Sequence, residues 1–379
     1  MIVLSNVDKL IKELCPNGVE FAKLSDISTV LRGKRLTKSE LSDEGTYPVF
    51  HGGIEPIGYY SECNRKAETV MVINVGASAG TVGYSNVEFW SSDGCFCISE
   101  SESFIPKFLY YALCCKEHEI QSKVRKAGIP TLDNSVLEQI IIPLPPIQVQ
   151  EEIVNILDRF VKLEAELEAE LEARKKQYEF YRGKMFDEGL EEEAKSIKAL
   201  LVRTKGTKIT AEQMKKLDKI NAPIKIFAGG KTVAYFDYAD IPEKDIQTKP
   251  SVVVKSRGVI EFEYCDQPFS HKSEFWAYHS TNLNINIKYV YYYLRNKESY
   301  FQNIGKAMGS LPQISLSIVD DYKIPIPPLK EQERIVAILD RFDMLINDIT
   351  EGLPAEIKMR KQQYEYYRDK LLSFEELKI

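Results

Sequence analysis

Few residues in this chain have the type and spacing to do chemistry. Gly76-Ala77-Ser78-Ala79-Gly80 spells G-x-S-x-G, the turn that presents a nucleophilic serine between a strand and a helix. The residues after it, TVGYSNVEFW, read as another strand, and the four histidines have no distinctive setting. The segment is therefore read as a small-residue turn between strands. Gly230-Lys231-Thr232 resembles the end of a phosphate-binding loop, but Lys225 stands where that motif needs its first glycine. Cys95-x-Cys97 and Cys114-Cys115 lack zinc-ligand spacing and nearby histidines, and read as core thiols. Glu261 and Glu263 flank a strand-like run without the Pro-Asp and downstream lysine of a nuclease site. Neither a G-x-G-x-x-G nor a D/N-P-P-Y/F methylation motif is present. The expectation is a non-catalytic chain with no catalytic residue, no metal site and no cofactor of its own.

What remains is basic and polar surface. Arg32, Lys34, Arg35 and Lys38 cluster after a predicted strand, and Lys123, Arg125 and Lys126 cluster before Gly128. Lys231, Lys255, Arg257, Lys272 and Lys306 hold comparable places later in the chain. Such side chains bind phosphates or read guanine. Net charge is −6 over 379 residues, so any DNA footprint must be local. Residues 191–327 carry 20 basic and 16 acidic groups, whereas residues 1–145 carry 14 and 18.

The elements that must position these groups are duplicated. Ile142 to Phe160 (IPLPPIQVQEEIVNILDRF) returns 182 residues later as Ile324 to Phe342 (IPIPPLKEQERIVAILDRF), with 13 of 19 positions identical. Unrelated segments share about one. Arg174 to Tyr181 (RKKQYEFY) returns as Arg360 to Tyr367 (RKQQYEYY), 186 residues on, so the second copy has four extra residues. Pro145-Pro146 and Pro327-Pro328 mark helix starts. Apolar residues then recur at spacings of three and four, the pattern of a one-sided seam. Ile153, Leu157, Phe160, Leu167 and Tyr178 in the first copy, and Ile335, Leu339, Phe342, Ile349 and Tyr364 in the second, are expected to pair helices or dock a partner. The repeat LEAELEAELEAR at Leu163 to Arg174 continues the first helix, while Gly352-Leu353-Pro354 should break the second.

The globular parts correspond more loosely. KFLYYAL (Lys107 to Leu113) and KYVYYYL (Lys288 to Leu294) predict one helix in each, and Val70 to Ile73 aligns with Val252 to Lys255 at the 182 offset. The only two tryptophans fall in Phe89-Trp90 and Phe275-Trp276, read as matching pairs. Strands dominate and a helix follows, giving an α+β class. The expected layout is two globular domains separated by two long antiparallel helices with internal pseudo-two-fold duplication. Its boundaries are 1–145, 146–190, 191–327 and 328–379. The charged amino-terminal stretch and seven irregularly spaced cysteines predict a cytoplasmic chain with reduced thiols.

With PLPPIQVQEEIVNILDRF and PIPPLKEQERIVAILDRF in hand, the chain resembles the specificity subunits of type I restriction–modification systems. GIPTL (Gly128 to Leu132), GSLPQI (Gly309 to Ile314) and GASAGTVGY add to the likeness, which covers the whole chain. The resemblance implies two target-recognition domains, each reading half of a split site in double-stranded DNA. It implies helical spacers that set the gap and dock two methyltransferase subunits. Restriction and translocase subunits would join them, and S-adenosylmethionine, ATP and Mg²⁺ would belong to those partners, with no membrane involved. A different class of function fits the same layout: a non-DNA coiled-coil scaffold tethering two protein-binding domains.

Overall fold

A computed structural model describes residues 2–42, 44–187, 193–229, 232–348 and 350–377. Lys231 and Ile349 lie outside the described residues. Two compact units emerge, Met1–Glu168 with Glu356–Ile379, and Ala169–Ala355.

The first unit is built around Thr69–Ile73 (TVMVI), a β-branched run buried along its length. It pairs antiparallel with Val82–Ser85 on one side and Cys95–Ile98 on the other, and Val30–Arg32 extends the sheet. Alternation splits its side chains between two cores. Val70 and Val72 join the large core that includes helix Pro106–Cys115. Met71 and Ile73 join Phe50, Phe89, Cys95 and Cys97, which link this sheet to a second one of Gly58–Tyr60, Tyr47–Phe50 and Trp90–Ser91. Each such Val or Ile contributes about 1.5–3 kcal/mol by burial. Glu20–Lys23 pairs with Ile141–Leu144, just ahead of the first long helix.

The second unit repeats this plan. Ser251–Lys255 lies between Glu261–Cys265 and Trp276–His279, with Val202–Arg203 at the edge. Val233–Phe236, Ile224–Phe227 and Phe269–His271 form its three-stranded sheet. Val252 and Val254 face the large core with helix Ile287–Asn296, and Val253 meets Phe227, Phe269 and Phe275.

The two Phe-Trp pairs do not correspond. Trp90 lies on a strand of the three-stranded sheet, whose counterpart is Phe269–His271. Trp276 pairs with Val254 in the four-stranded sheet, where Phe96 pairs with Val72 in the first unit. Successive strand residues point to opposite faces, so an aromatic dipeptide carries no register by itself.

The first long helix, Ile147–Asp187, is continuous over 41 residues, about 60 Å. The second copy is two helices, Leu329–Asn347 and Leu353–Leu371, broken at the expected Gly-Leu-Pro. A Cβ at Gly352 would stand 2.5 Å from the Met344 carbonyl oxygen, and the Asp348 carboxylate accepts from the Thr350 and Glu351 amides. Each unit holds the start of one helix and the end of the other copy. In the first unit Phe160 stacks on Tyr367 at 5.4 Å, and Lys361 pairs with Glu164 and Glu168 at 3.3 and 2.9 Å. These segments therefore run antiparallel. In the second unit Tyr178 and Tyr181 each meet Phe342 at 6.0 Å.

Candidate nucleic-acid interface

The repeated motif locks each helix to its own globular part. Gln150, fully buried, accepts from the Ile105 amide at 2.8 Å and donates to the Ser103 and Pro145 carbonyls at 3.0 and 2.8 Å. Gln332 does the same with the Asn286 amide and the Asn284 and Pro327 carbonyls, at 2.8, 2.9 and 2.7 Å. Two turns further on, Asp158 accepts from Tyr111 at 2.5 Å and pairs with Lys107 at 3.1 Å. Asp340 accepts from Tyr292 at 2.6 Å and pairs with Lys288 at 2.9 Å. Burial, then the bond to the carboxylate, raises the pKa of both tyrosines. Ile153 and Leu157 sit in the first unit's core, Ile335 and Leu339 in the second's. These four seam positions anchor domains. Phe160, Phe342 and Tyr178 carry contacts between the long helices, Tyr364 meets Tyr111 of the first unit's globular part at 6.4 Å, and Leu167 is half-buried.

A second repeated device lies at the other end of each sheet. Gly76 donates to the Pro130 carbonyl and Leu132 to the Asn74 carbonyl, at 2.9 and 2.8 Å. Gly258 donates to Pro312 and Ile314 to Ser256, at 2.8 and 2.9 Å. Gly76 and Gly258 have φ of 91° and 82°, a left-handed turn suited to glycine. In the first unit this paired-loop platform floors an open cleft of about 380 Å³ lined by Arg32, His51, Asn74, Asp93, Arg125 and Thr131, among others. Asn74 is only 6% exposed and donates to the Asp93 carbonyl at 3.2 Å, while its side-chain oxygen is buried without a partner. Ser78 of the G-x-S-x-G segment lies in the turn between two antiparallel strands, the setting expected for a non-nucleophile.

Around this cleft the structure brings Arg32 and Arg125 together. Arg125 reaches Asp133 at 3.4 Å and shares a bridge with Thr131. Lys123 and Lys126 are exposed beside it, and Ile129 at the loop tip is 71% exposed. Lys34 lies over the Trp90 ring at 5.8 Å, and Arg35 and Lys38 are exposed on the following segment. In the second unit Arg257 and Lys306 are exposed, and Lys272 pairs with Glu274 at 2.8 Å. Lys255 is a correction to the sequence expectation. It is 6% exposed, with its ammonium between Glu261 and Glu263 at 3.4 and 2.9 Å. Burial acts against its charge, but the bonds to Glu263 and Glu261 hold its pKa above the ordinary lysine value. It is a structural cation, not a phosphate contact.

The family described as "Type I restriction modification DNA specificity domain" matches residues 16–173 and again residues 202–359. The chain belongs to this family. Its two matches coincide with the two duplicated halves. The type I restriction enzyme EcoR124I/EcoR124II specificity subunit of Escherichia coli is 34% identical over 266 residues, 66% of this chain and 63% of that one. A provisionally assigned type I restriction enzyme specificity subunit of Haemophilus influenzae is 28% identical over 382 residues, 94% of this chain and 96% of that one. The solved S subunit of a type I restriction–modification system from M. genitalium shares the fold, with a TM-score of 0.65 at 20% identity over 94% of this chain and 96% of that one. Family membership favours DNA specificity over the coiled-coil scaffold. No helix among the described residues is long and apolar enough to cross a membrane.

Sequence reasoning missed two features of these specificity domains. The buried glutamines were readable only as part of a repeated motif, because nothing in their spacing announced their backbone partners. Phe180 and Tyr366 are 64% and 62% exposed at equivalent places in the helices. The recurrence of RKKQYEFY as RKQQYEYY was the signal for them.

Proposed function

We propose that this chain is the non-catalytic DNA-reading subunit of a type I restriction–modification assembly in the cytoplasm. Residues 1–145 and 191–327 each read one half of a split duplex target. The helical segments 146–190 and 328–379 set the gap and dock two methyltransferase subunits, to which restriction and translocase subunits are added. S-adenosylmethionine, ATP and Mg²⁺ are used by those partners. The observation that carries this reading is the pair of matching locks, the buried Gln150 with the half-buried Asp158 and the buried Gln332 with the half-buried Asp340. They join alike helices to globular parts whose surfaces differ. Like helices suit one partner bound twice; unlike surfaces suit two different half-sites. The exposed aromatics Phe180 and Tyr366 support the docking part, since large exposed rings are favoured interface anchors. Coexpression with the methyltransferase and restriction subunits of the same host tests it. Two methyltransferase copies per chain, and activity only in the assembly, are expected. Turnover by the chain alone, or a single methyltransferase per chain, would contradict it.

A further inference from the structure

We propose that the paired-loop platform is the base-reading surface of each unit, and that three positions on it set the half-site. These are Asn74, Val75 and Arg257, and Thr131 and Gln313; Ser256, at the place of Asn74 in the second unit, is buried with its hydroxyl donating to the Glu274 carbonyl and shapes the loop instead. The inference rests on the DNA-specificity reading above and names the residues that carry it.

The platforms share a backbone and differ in side chains. The bonds Gly76 to Pro130 and Leu132 to Asn74 recur, 182 residues on, as Gly258 to Pro312 and Ile314 to Ser256. Val75 faces Thr131 across an antiparallel bridge, and Arg257 faces Gln313 across its counterpart. A frame of fixed geometry with changed side chains is what two readers of different sequences need. A purely structural loop pair has no use for a valine in one copy and an exposed arginine in the other.

The chemistry assigns bases. In the first unit Asn74 floors the cleft with one acceptor oxygen lacking a partner. Its amide nitrogen donates to the Asp93 carbonyl, and a side-chain amide carries two hydrogens. That acceptor–donor pair matches N6 and N7 of adenine, and the methyls of Val75 and Thr131 beside it suit the methyl of thymine. The first platform thus reads an A·T pair. In the second unit the exposed Arg257 offers the fork that pairs with O6 and N7 of guanine, with Gln313 next to it. Lys126 and Lys306 flank the platforms as exposed cations and supply phosphate contacts, which position without specifying.

The test uses the full chain assembled with its methyltransferase subunits and a pool of duplexes with randomised bases, selected by binding and sequenced. The wild-type assembly must first enrich a two-part target; no enrichment would contradict the DNA-specificity reading itself. Given enrichment, Arg257→Val should weaken the preference for guanine at one position of one half by about 10-fold or more, leaving the other half unchanged. Asn74→Ser should relax an adenine in the opposite half. Because Asn74 is buried, Thr131→Gln, at a half-exposed position, provides a second variant in that unit and should alter the same half. Unchanged selected sequences for Arg257→Val and Thr131→Gln, or weakening spread evenly over all sequences, would overturn the proposal while leaving the DNA-specificity reading intact.

Discussion

Replacing Gln150 by alanine should unfasten the first long helix from its globular part. The side chain makes three hydrogen bonds, at 2.8, 3.0 and 2.8 Å, and is fully buried. Alanine leaves the Ile105 amide and the Ser103 and Pro145 carbonyls without those partners. An unsatisfied buried polar group costs about 1–3 kcal/mol, and water recovers part of that at the less buried sites. A net loss of about 4 kcal/mol follows, a large share of the roughly 5–15 kcal/mol that stabilises a domain. For a unit of this size, 1 kcal/mol shifts Tm by about 2–4 °C, so a fall of about 8–16 °C is expected. Gln332→Ala should do the same to the second unit, which makes the matching bonds. Gln150→Glu is the control for charge and shape, because it keeps the acceptor but loses both donors to carbonyls. Differential scanning calorimetry of the full chain provides the readout. A shift below about 2 °C for both alanine variants, or full rescue by glutamate, would refute the reasoning.

Further expectations concern surface charge, spacing and pH. Lys126→Ala should lower DNA affinity evenly across sequences and reduce the slope of log K against log salt by about one, measured by titration at several ionic strengths. Inserting one LEAE block within Leu163 to Arg174 adds about 6 Å and about 400° of helix, and should change the gap between half-sites by about one or two base pairs in methylation maps. His271 is buried, and burial lowers its pKa below the ordinary 6.5 against the opposing bond to the Lys272 carbonyl. The unfolded chain then binds the proton more readily, so this contribution to stability is present above about pH 6.5 and lost as pH falls toward the folded value. Melting of wild type against His271→Asn between pH 5 and 8 should show a steeper acid loss for wild type.

Much of the architecture was readable because it rests on local rules. Pro145-Pro146 and Pro327-Pro328 start the helices, Gly352-Leu353-Pro354 interrupts the second, and the TVMVI and SVVVK runs become the central strands of equivalent sheets. What the sequence hid depends on contacts between distant residues. Glu261 and Glu263 lie on the neighbouring strand and claim Lys255, so a lysine in a basic-looking run turned inward. The seam at Ile153, Leu157, Ile335 and Leu339 has coiled-coil spacing, yet a helix face of that width packs on a sheet-bearing core just as well. Arg32 and Arg125 are far apart in sequence, and only the folded cleft brings the two together.

The central claim is that each globular unit reads its own half of a split target. It is tested most directly by mapping methylated bases across a host genome after residues 1–145 are exchanged for the corresponding part of another specificity subunit, with the helices retained. The account predicts a new sequence in one half-site, the original sequence in the other, and an unchanged gap. Alteration of both halves, or of neither in an assembly that still methylates, would contradict it.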